Sequence, residues 1–240
     1  MIFKVIIWAI AALLLIVPIL VVSALFVNPK KEYTENSPYY RFLLDTTTAI
    51  LIKILGIKVK VTGEEKLPEN TRFLLVSNHR SNFDPIVTWY AFKKHELAFV
   101  SKPENFRIPM YGRIIRKCCF LPIDRSDARK AMGTVNSAAA LLKADAVSVG
   151  IYPEGTRNTA QELLPFHNGV FKIAKRANVP IVIMSVSGTD WIRKNWYKRG
   201  SEVRLNILGV IPAEELAEMK TAQIGEITRE LITDDLLKAV

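Results

Sequence analysis

The sequence predicts an α/β domain with a mixed or largely parallel sheet flanked by helices, and three observations carry that expectation. Apolar runs of strand length recur: "RFLLV", "LAFV", "CCFLPI", "VSVGIY", "PIVIMSV" and "EVRLNILG". Between several of them lie segments of helical periodicity, and strands that alternate with helices form a sheet covered by those helices. Half of the 240 residues are hydrophobic, enough to bury one large core.

The first element is the stretch from Val5 to Val27, 23 residues without a charge. As a helix it is about 34 Å long, sufficient to cross a bilayer core. The expectation is therefore a transmembrane or re-entrant anchor over residues 1–30, with a kink at Pro18. A signal peptide is the rival, with Lys4 as its basic end, but the apolar run is longer than a usual signal core and no small-x-small cleavage site follows. Residues 31–57 form the second unit. Within it "YRFLLDTTTAILIKILGI" is interrupted by Asp45 and Lys53 and is too polar to span. Phe42, Leu43, Ile50, Leu51, Ile54 and Leu55 predict an interfacial, amphipathic helix that lies in the membrane interface or caps the core.

Residues 58–240 make the α/β domain. Ile57, Val59 and Val61 alternate with Lys58 and Lys60 as in a half-exposed strand, and the six apolar runs follow as further strands. Helical patterns cover Ile86 to Lys94, Ala128 to Lys143 and Gly169 to Ala177, and the tail from Ala213 to Val240 reads as one or two surface helices. The two cysteines, Cys118 and Cys119, are neighbours. They supply neither a disulfide framework nor a structural zinc site and read as small buried strand residues in a reducing compartment.

Past Val27 there are 32 basic and 23 acidic residues, a surplus of nine positive charges. Such a surface is drawn to an anionic leaflet, so membrane lipids are expected partners and the membrane the expected location, with the domain on its cytoplasmic side. No recognition-module motif for nucleic acid is present.

The chemistry centres on "SNHRSNFDP", Ser77 to Pro85, directly after the strand "RFLLV". Ligands of such sheets gather at the carboxyl ends of strands. Three readings are open for His79 and Asp84: a helix cap at Asp84 with Pro85 at the first helical position, part of a metal site, or a base with its orienting carboxylate. The metal reading has few partners, because His95 and His167 are distant in sequence and no close His or Cys spacing occurs. No G-x-S-x-G, Walker A or G-x-G-x-x-G stretch occurs either. A His/Asp pair without its own nucleophile suits a substrate that brings the hydroxyl, as in acyl transfer from an activated donor.

The stretch Asn78 to Asp84 resembles the H-x4-D motif of the glycerolipid acyltransferases, in particular those acting on 1-acylglycerol-3-phosphate. Further matches follow in order: "SKPENFRIPMYG" with Lys102, Pro109 and Gly112, "FLPIDR" ending in Arg125, "YPEGTRN", and "NVPIVI" around Pro180. The resemblance covers about Phe73 to Val186 and implies His79 as general base and Asp84 as its orienter. It further implies Lys102 and Arg157 on the acceptor phosphate, with Arg125, Glu154, Gly155 and Thr156 in the same region. The implied acceptor is lysophosphatidic acid and the implied donor acyl-CoA or acyl carrier protein, with no metal and no other cofactor. Two departures concern the choice of substrate: Ile183 stands where relatives often carry a second proline, and His167 and Asn168 stand where they carry a basic residue. A thioesterase, with water in place of the lipid alcohol, is the alternative, although it would leave Lys102 and Arg157 without an anion to hold.

Overall fold

The computed structural model describes the backbone of residues 2–160, 162–198 and 200–238, and side chains from residue 14 onward. Its centre is a seven-stranded sheet formed by β1 (Lys58–Thr62), β2 (Leu74–Ser77), β3 (Leu97–Ser101), β4 (Leu121–Pro122), β5 (Ser148–Ile151), β6 (Ile181–Ser187) and β7 (Glu202–Ile211). The spatial order is β1-β7-β6-β2-β5-β3-β4. Strands β4, β3, β5, β2 and β6 are mutually parallel, whereas β7 pairs antiparallel with β6 and parallel with β1. The sheet is mixed. Strands β2, β3 and β5 are buried almost end to end, which is why they read as continuous apolar runs and not as alternating ones.

The helices are α1 (Ile2–Leu25), α2 (Pro38–Leu55), α3 (Asp84–Ala91), α4 (Tyr111–Lys117), α5 (Ala128–Lys143), α6 (Lys172–Ala177), α7 (Asp190–Asn195), α8 (Ala213–Glu218) and α9 (Thr221–Lys238). Helix α5 has the predicted bounds because Asp127 caps it, accepting from the N–H groups of Arg129 and Lys130. Val135, Ala138, Ala139 and Leu142 form its buried face. Helices α4 and α7, of seven and six residues, escaped the sequence reading because so few residues show no helical period. The tail is less superficial than expected. Ile224, Thr228 and Ile232 of α9 are buried, and Asp235 accepts hydrogen bonds from Ser185 on β6 and Asn206 on β7.

The structure bears on three expectations. Among the described residues no helix is long and apolar enough to cross a membrane. The expected anchor over 1–30 is the helix α1, whose side chains up to residue 13 lie outside the described ones. The last turn also packs on the domain: Ser23, Ala24 and Val27 are buried, the Tyr40 hydroxyl donates to Ser23 O at 2.9 Å, and Arg113 Nη1 donates to Ala24 O at 3.1 Å. The transmembrane reading is corrected by this finding, and the expected membrane location loses the anchor that supported it.

The second concerns residues 31–57, left open between the membrane interface and a cap on the core. Helix α2 caps the core, with Tyr40, Leu43, Leu44 and Ile52 buried in the main hydrophobic cluster. Of the residues that predicted its apolar face, Leu43 is buried whereas Phe42 and Leu51 stay exposed. The helix ends at Gly56, whose left-handed conformation (φ 63°) lets its N–H reach the carbonyls of Ile52 and Lys53. Third, Cys118 and Cys119 are buried but end α4, Cys119 at φ 62°, so β4 shrinks to Leu121 and Pro122. Burial pushes the Cys118 thiol up to about 12 and the Cys119 thiol up to about 11.

Gly150 on β5 links the sheet to what lies above it. A Cβ there would stand 2.5 Å from Cε1 of Phe99, whose ring covers the glycine and stacks on Tyr152 at 6.0 Å. Gly150→Ala should therefore force the Phe99 ring aside and lower stability by roughly 1–3 kcal/mol, as overpacking does. The expected reading is a lower denaturant midpoint at unchanged slope; an unchanged midpoint would show that the ring has room to move.

Candidate active site

Five loops leave the carboxyl ends of the parallel strands on one side of the sheet, and each delivers a residue singled out above or a support for one. His79 and Asp84 follow β2, Lys102 follows β3, Arg125 follows β4, the segment Tyr152 to Arg157 follows β5, and Thr189 follows β6. Parallel strands bring their carboxyl ends together whatever the sequence distance between them, which is why ligands collect there. His95 precedes β3 and lies at the opposite end of the sheet from His79. His167 lies near: its Nε2 would be 3.0 Å from a Cβ placed on Gly155.

His79 Nδ1 is 2.7 Å from Asp84 Oδ2. Asp84 has no solvent exposure, and its carboxylate takes four donors: His79 Nδ1–H, the N–H groups of Arg80 at 2.6 Å and Ser81 at 2.8 Å, and the Thr189 hydroxyl. A carboxylate accepts and does not donate, so His79 carries its proton on Nδ1 and leaves Nε2 free to accept one. The cap reading is corrected here. Helix α3 starts at Asp84 with Phe83 as its N-cap, and the carboxylate turns back to the N–H groups of the preceding loop instead of forward into the helix. Pro85 falls in the first turn as expected.

The histidine is held by its backbone as firmly as by its ring. Its N–H donates to Glu154 Oε1 at 2.8 Å, and its carbonyl accepts from the Asn158 N–H at 2.7 Å. Glu154 is itself buried, and its Oε2 accepts from Asn158 Nδ2 and the Leu164 N–H. The preceding residue, Asn78, pairs its amide with both backbone groups of Val186 on β6, at 2.8 and 2.9 Å. The imidazole stacks on Tyr152, with ring centres 4.4 Å apart and planes at 15°. Burial first, and the Asp84 charge second, push the Tyr152 phenol well above its ordinary value, opposed by the neighbouring Thr88 hydroxyl, so it stays protonated.

A cavity of about 420 Å³ opens beside the ring, and Lys102, Arg125, Gly155 and Arg157 stand on its walls with His79. Lys102, Arg125 and Arg157 are exposed, free to turn toward an anion. Gly155 has φ +72°, a conformation that favours glycine, and a side chain there would collide with His167. Glu154 and Thr156 are not on the cavity wall: Glu154 points into the protein as described, and Thr156 is exposed. A second cavity of about 460 Å³ adjoins at Arg125, Tyr152 and Gly155 and is mainly apolar, with Ile123, Met132, Val135, Phe166 and Val170 on its walls.

The family model described as "Acyltransferase" matches residues 58–187, more than half of the chain. The chain belongs to this acyltransferase family. Among relatives, a 1-acyl-sn-glycerol-3-phosphate acyltransferase of Saccharomyces cerevisiae is 29% identical over 188 residues, covering 76% of this chain and 61% of the relative. One of Escherichia coli is 29% identical over 201 residues, covering 83% and 74%. This family member spans 61% of the length of its yeast and Cocos nucifera relatives. A solved structure, the 1-acyl-sn-glycerophosphate acyltransferase of Thermotoga maritima, superposes with a TM-score of 0.69 over 84% of this chain and 80% of that one. At 22% identity that likeness establishes the shared fold.

Sequence reasoning missed Asn78, Tyr152, Asn158 and Thr189. Asn78, Tyr152 and Asn158 lie inside or beside the quoted motifs, where position at a strand end was a usable signal. Thr189 had no signal at all, being 105 residues from its partner. Asp84→Asn offers one acceptor oxygen to four donors, so it should cost roughly 1–3 kcal/mol of stability in addition to its effect on the histidine. Chemical denaturation measures it, and parental stability in that variant would mean these hydrogen bonds are dispensable to the fold.

Proposed function

We propose that the protein transfers a fatty acyl group from a thioester to the sn-2 hydroxyl of 1-acylglycerol-3-phosphate, forming phosphatidic acid. The observation that carries this reading is the His79–Asp84 pair, one nitrogen bound and one free, at the rim of a cavity walled by Lys102, Arg125 and Arg157. A base without a protein nucleophile suits a substrate alcohol, and three cations suit an acceptor bearing a phosphate. The names of the relatives agree with it.

In this mechanism Nε2 of His79 takes the proton of the sn-2 hydroxyl as that oxygen attacks the thioester carbonyl. The imidazolium is stabilised by the Asp84 carboxylate, which stays ionised while it orients the ring. Collapse of the tetrahedral intermediate breaks the carbon–sulfur bond, and the departing thiolate takes the proton back from Nε2. No other group is needed for the proton balance. The donor is acyl-CoA or acyl carrier protein, and the apolar cavity beside Tyr152 suits its acyl chain. The exposed cations gain strength as the ligand displaces water, because charge-assisted hydrogen bonds strengthen when solvent is excluded.

Purified protein offered a labelled acyl thioester and a panel of lysolipids should form phosphatidic acid. Free fatty acid as the main product would instead identify a thioesterase. His79→Ala should lower turnover at least about a hundredfold, the low end for a general base, in protein whose circular dichroism shows it still folded; retained turnover removes His79 from the mechanism. Arg157→Ala should raise the Michaelis constant for lysophosphatidate by about ten- to a hundredfold, and that for the acyl donor far less. Arg157→Lys should not restore it, since an ammonium cannot span two phosphate oxygens. If the ranking of lysolipids is the same in wild type, Arg157→Ala and Lys102→Ala, the phosphate assignment is wrong.

A further inference from the structure

We infer that Thr189 is a positioning residue for the catalytic pair, its hydroxyl fixing the plane of the Asp84 carboxylate so that Oδ2 meets the imidazole along its N–H direction. The inference rests on the base role proposed for His79. Three of the four bonds at Asp84 end on a single oxygen: Oδ2 accepts from His79, Arg80 and Ser81. The soft motion of the group is rotation about its Cβ–Cγ bond, which moves both oxygens together. A tie at the second oxygen opposes the same rotation that would carry Oδ2 off the imidazole N–H direction. Among the described residues the donor to Oδ1 is the Thr189 hydroxyl.

The placement of Thr189 supports this role independently. It stands at the N-cap of α7, where a threonine ordinarily accepts from a helix N–H, yet its side chain makes no capping bond. The hydroxyl is turned instead across the sheet ends to Asp84, and both residues have zero exposure. Water therefore cannot substitute for either partner without opening the site. The turn that carries Thr189 is itself constrained. Gly188 has φ +85°, and a Cβ on it would be 2.2 Å from the Glu202 carbonyl oxygen, so the turn lies tight against β7. Antiparallel pairing of β6 with β7 thus fixes where the hydroxyl sits, and Asn78 fastens the loop carrying His79 to the same strand β6. Donor and acceptor are tied to one frame.

Only the donor proton matters in this account, which separates Thr189 from a packing residue. Thr189→Val keeps the branched shape and removes the donor; Thr189→Ser keeps the donor and removes a methyl group; Thr189→Ala removes both. With folding checked by thermal unfolding, Val and Ala variants should lose about ten- to a hundredfold in kcat, the scale for a hydrogen bond to a charged group. The Michaelis constants for acyl donor and acceptor should stay within about twofold, since the cations of the cavity are untouched. The serine variant should recover most of the rate. A second readout is independent of turnover: the nitrogen-15 signals of the His79 ring, assigned with His79→Gln, report which nitrogen carries the proton. Wild type and Thr189→Ser should show the proton on Nδ1, and Thr189→Val a mixture of tautomers. Wild-type kcat in the valine variant, a serine variant as slow as valine, or one ring tautomer in all variants would overturn the inference. An inactive wild type would defeat the acyl-transfer reading, while the ring spectra would still decide the role of Thr189.

Discussion

The burial of one carboxylate, Asp84, is the constraint on which the rest of the site depends. A charge without solvent exposure is unfavourable unless hydrogen bonds replace its hydration, and four donors do so here. Two are backbone N–H groups and cost no side-chain entropy. The third is the histidine, and the fourth comes from a strand end far along the chain. The requirement to satisfy Asp84 therefore dictates the turn after β2, the tautomer of His79 and the position of the turn after β6. The reactivity of Nε2 is a consequence of how Nδ1 is engaged.

Around that centre three neighbouring strands are joined at their carboxyl ends by polar bonds. Asn78 joins β2 to β6 through the backbone of Val186, and Glu154 and Asn158 join the loop after β5 to the backbone of His79. Removing either side-chain partner would leave buried polar groups unpaired, which is more damaging than a lost surface contact. The aromatic stack of Phe99, Tyr152 and His79 extends the support from the core up to the ring, and it starts over Gly150 on β5, where a side chain would collide with Phe99. The His79 ring and backbone are thus immobilised together.

The cations differ from the base in kind. Lys102, Arg125 and Arg157 are exposed, whereas Asp84 is sealed and His79 mostly so. Exposed charges are screened and contribute little until a ligand excludes water around them. Fixed geometry at His79 and Asp84 and exposed charge on the same cavity wall are thus separate parts of the site. The adjoining apolar cavity meets the polar one at Tyr152, Arg125 and Gly155, so both open onto the same side of the imidazole stack.

Much of the fold was legible because its physics is local. Strands buried on both faces are continuous apolar runs, and Asp127 announces the start of α5 in its own residue type. The motif order from His79 to Pro180 pointed to the family that the comparison with its model then established. What was misread depended on partners that a one-dimensional pattern does not name. The apolar segment near the N-terminus, taken for a span, docks its end on α4 and the Tyr40 hydroxyl. Asp84 looked like a cap because the residue type and the following proline fit one, yet its donors lie behind it. Glu154 looked like part of the acceptor region and is turned inward to hold the backbone of His79. The sequence by itself determined the class of fold and the family, because strand and helix periods and the order of motifs are local, and it singled out His79 and Asp84 as a candidate pair at short spacing. Only the tertiary structure decided which groups complete them. Thr189 meets Asp84 across 105 residues, through parallel pairing of β2 with β6, and contacts made by sheet topology leave no trace in local order.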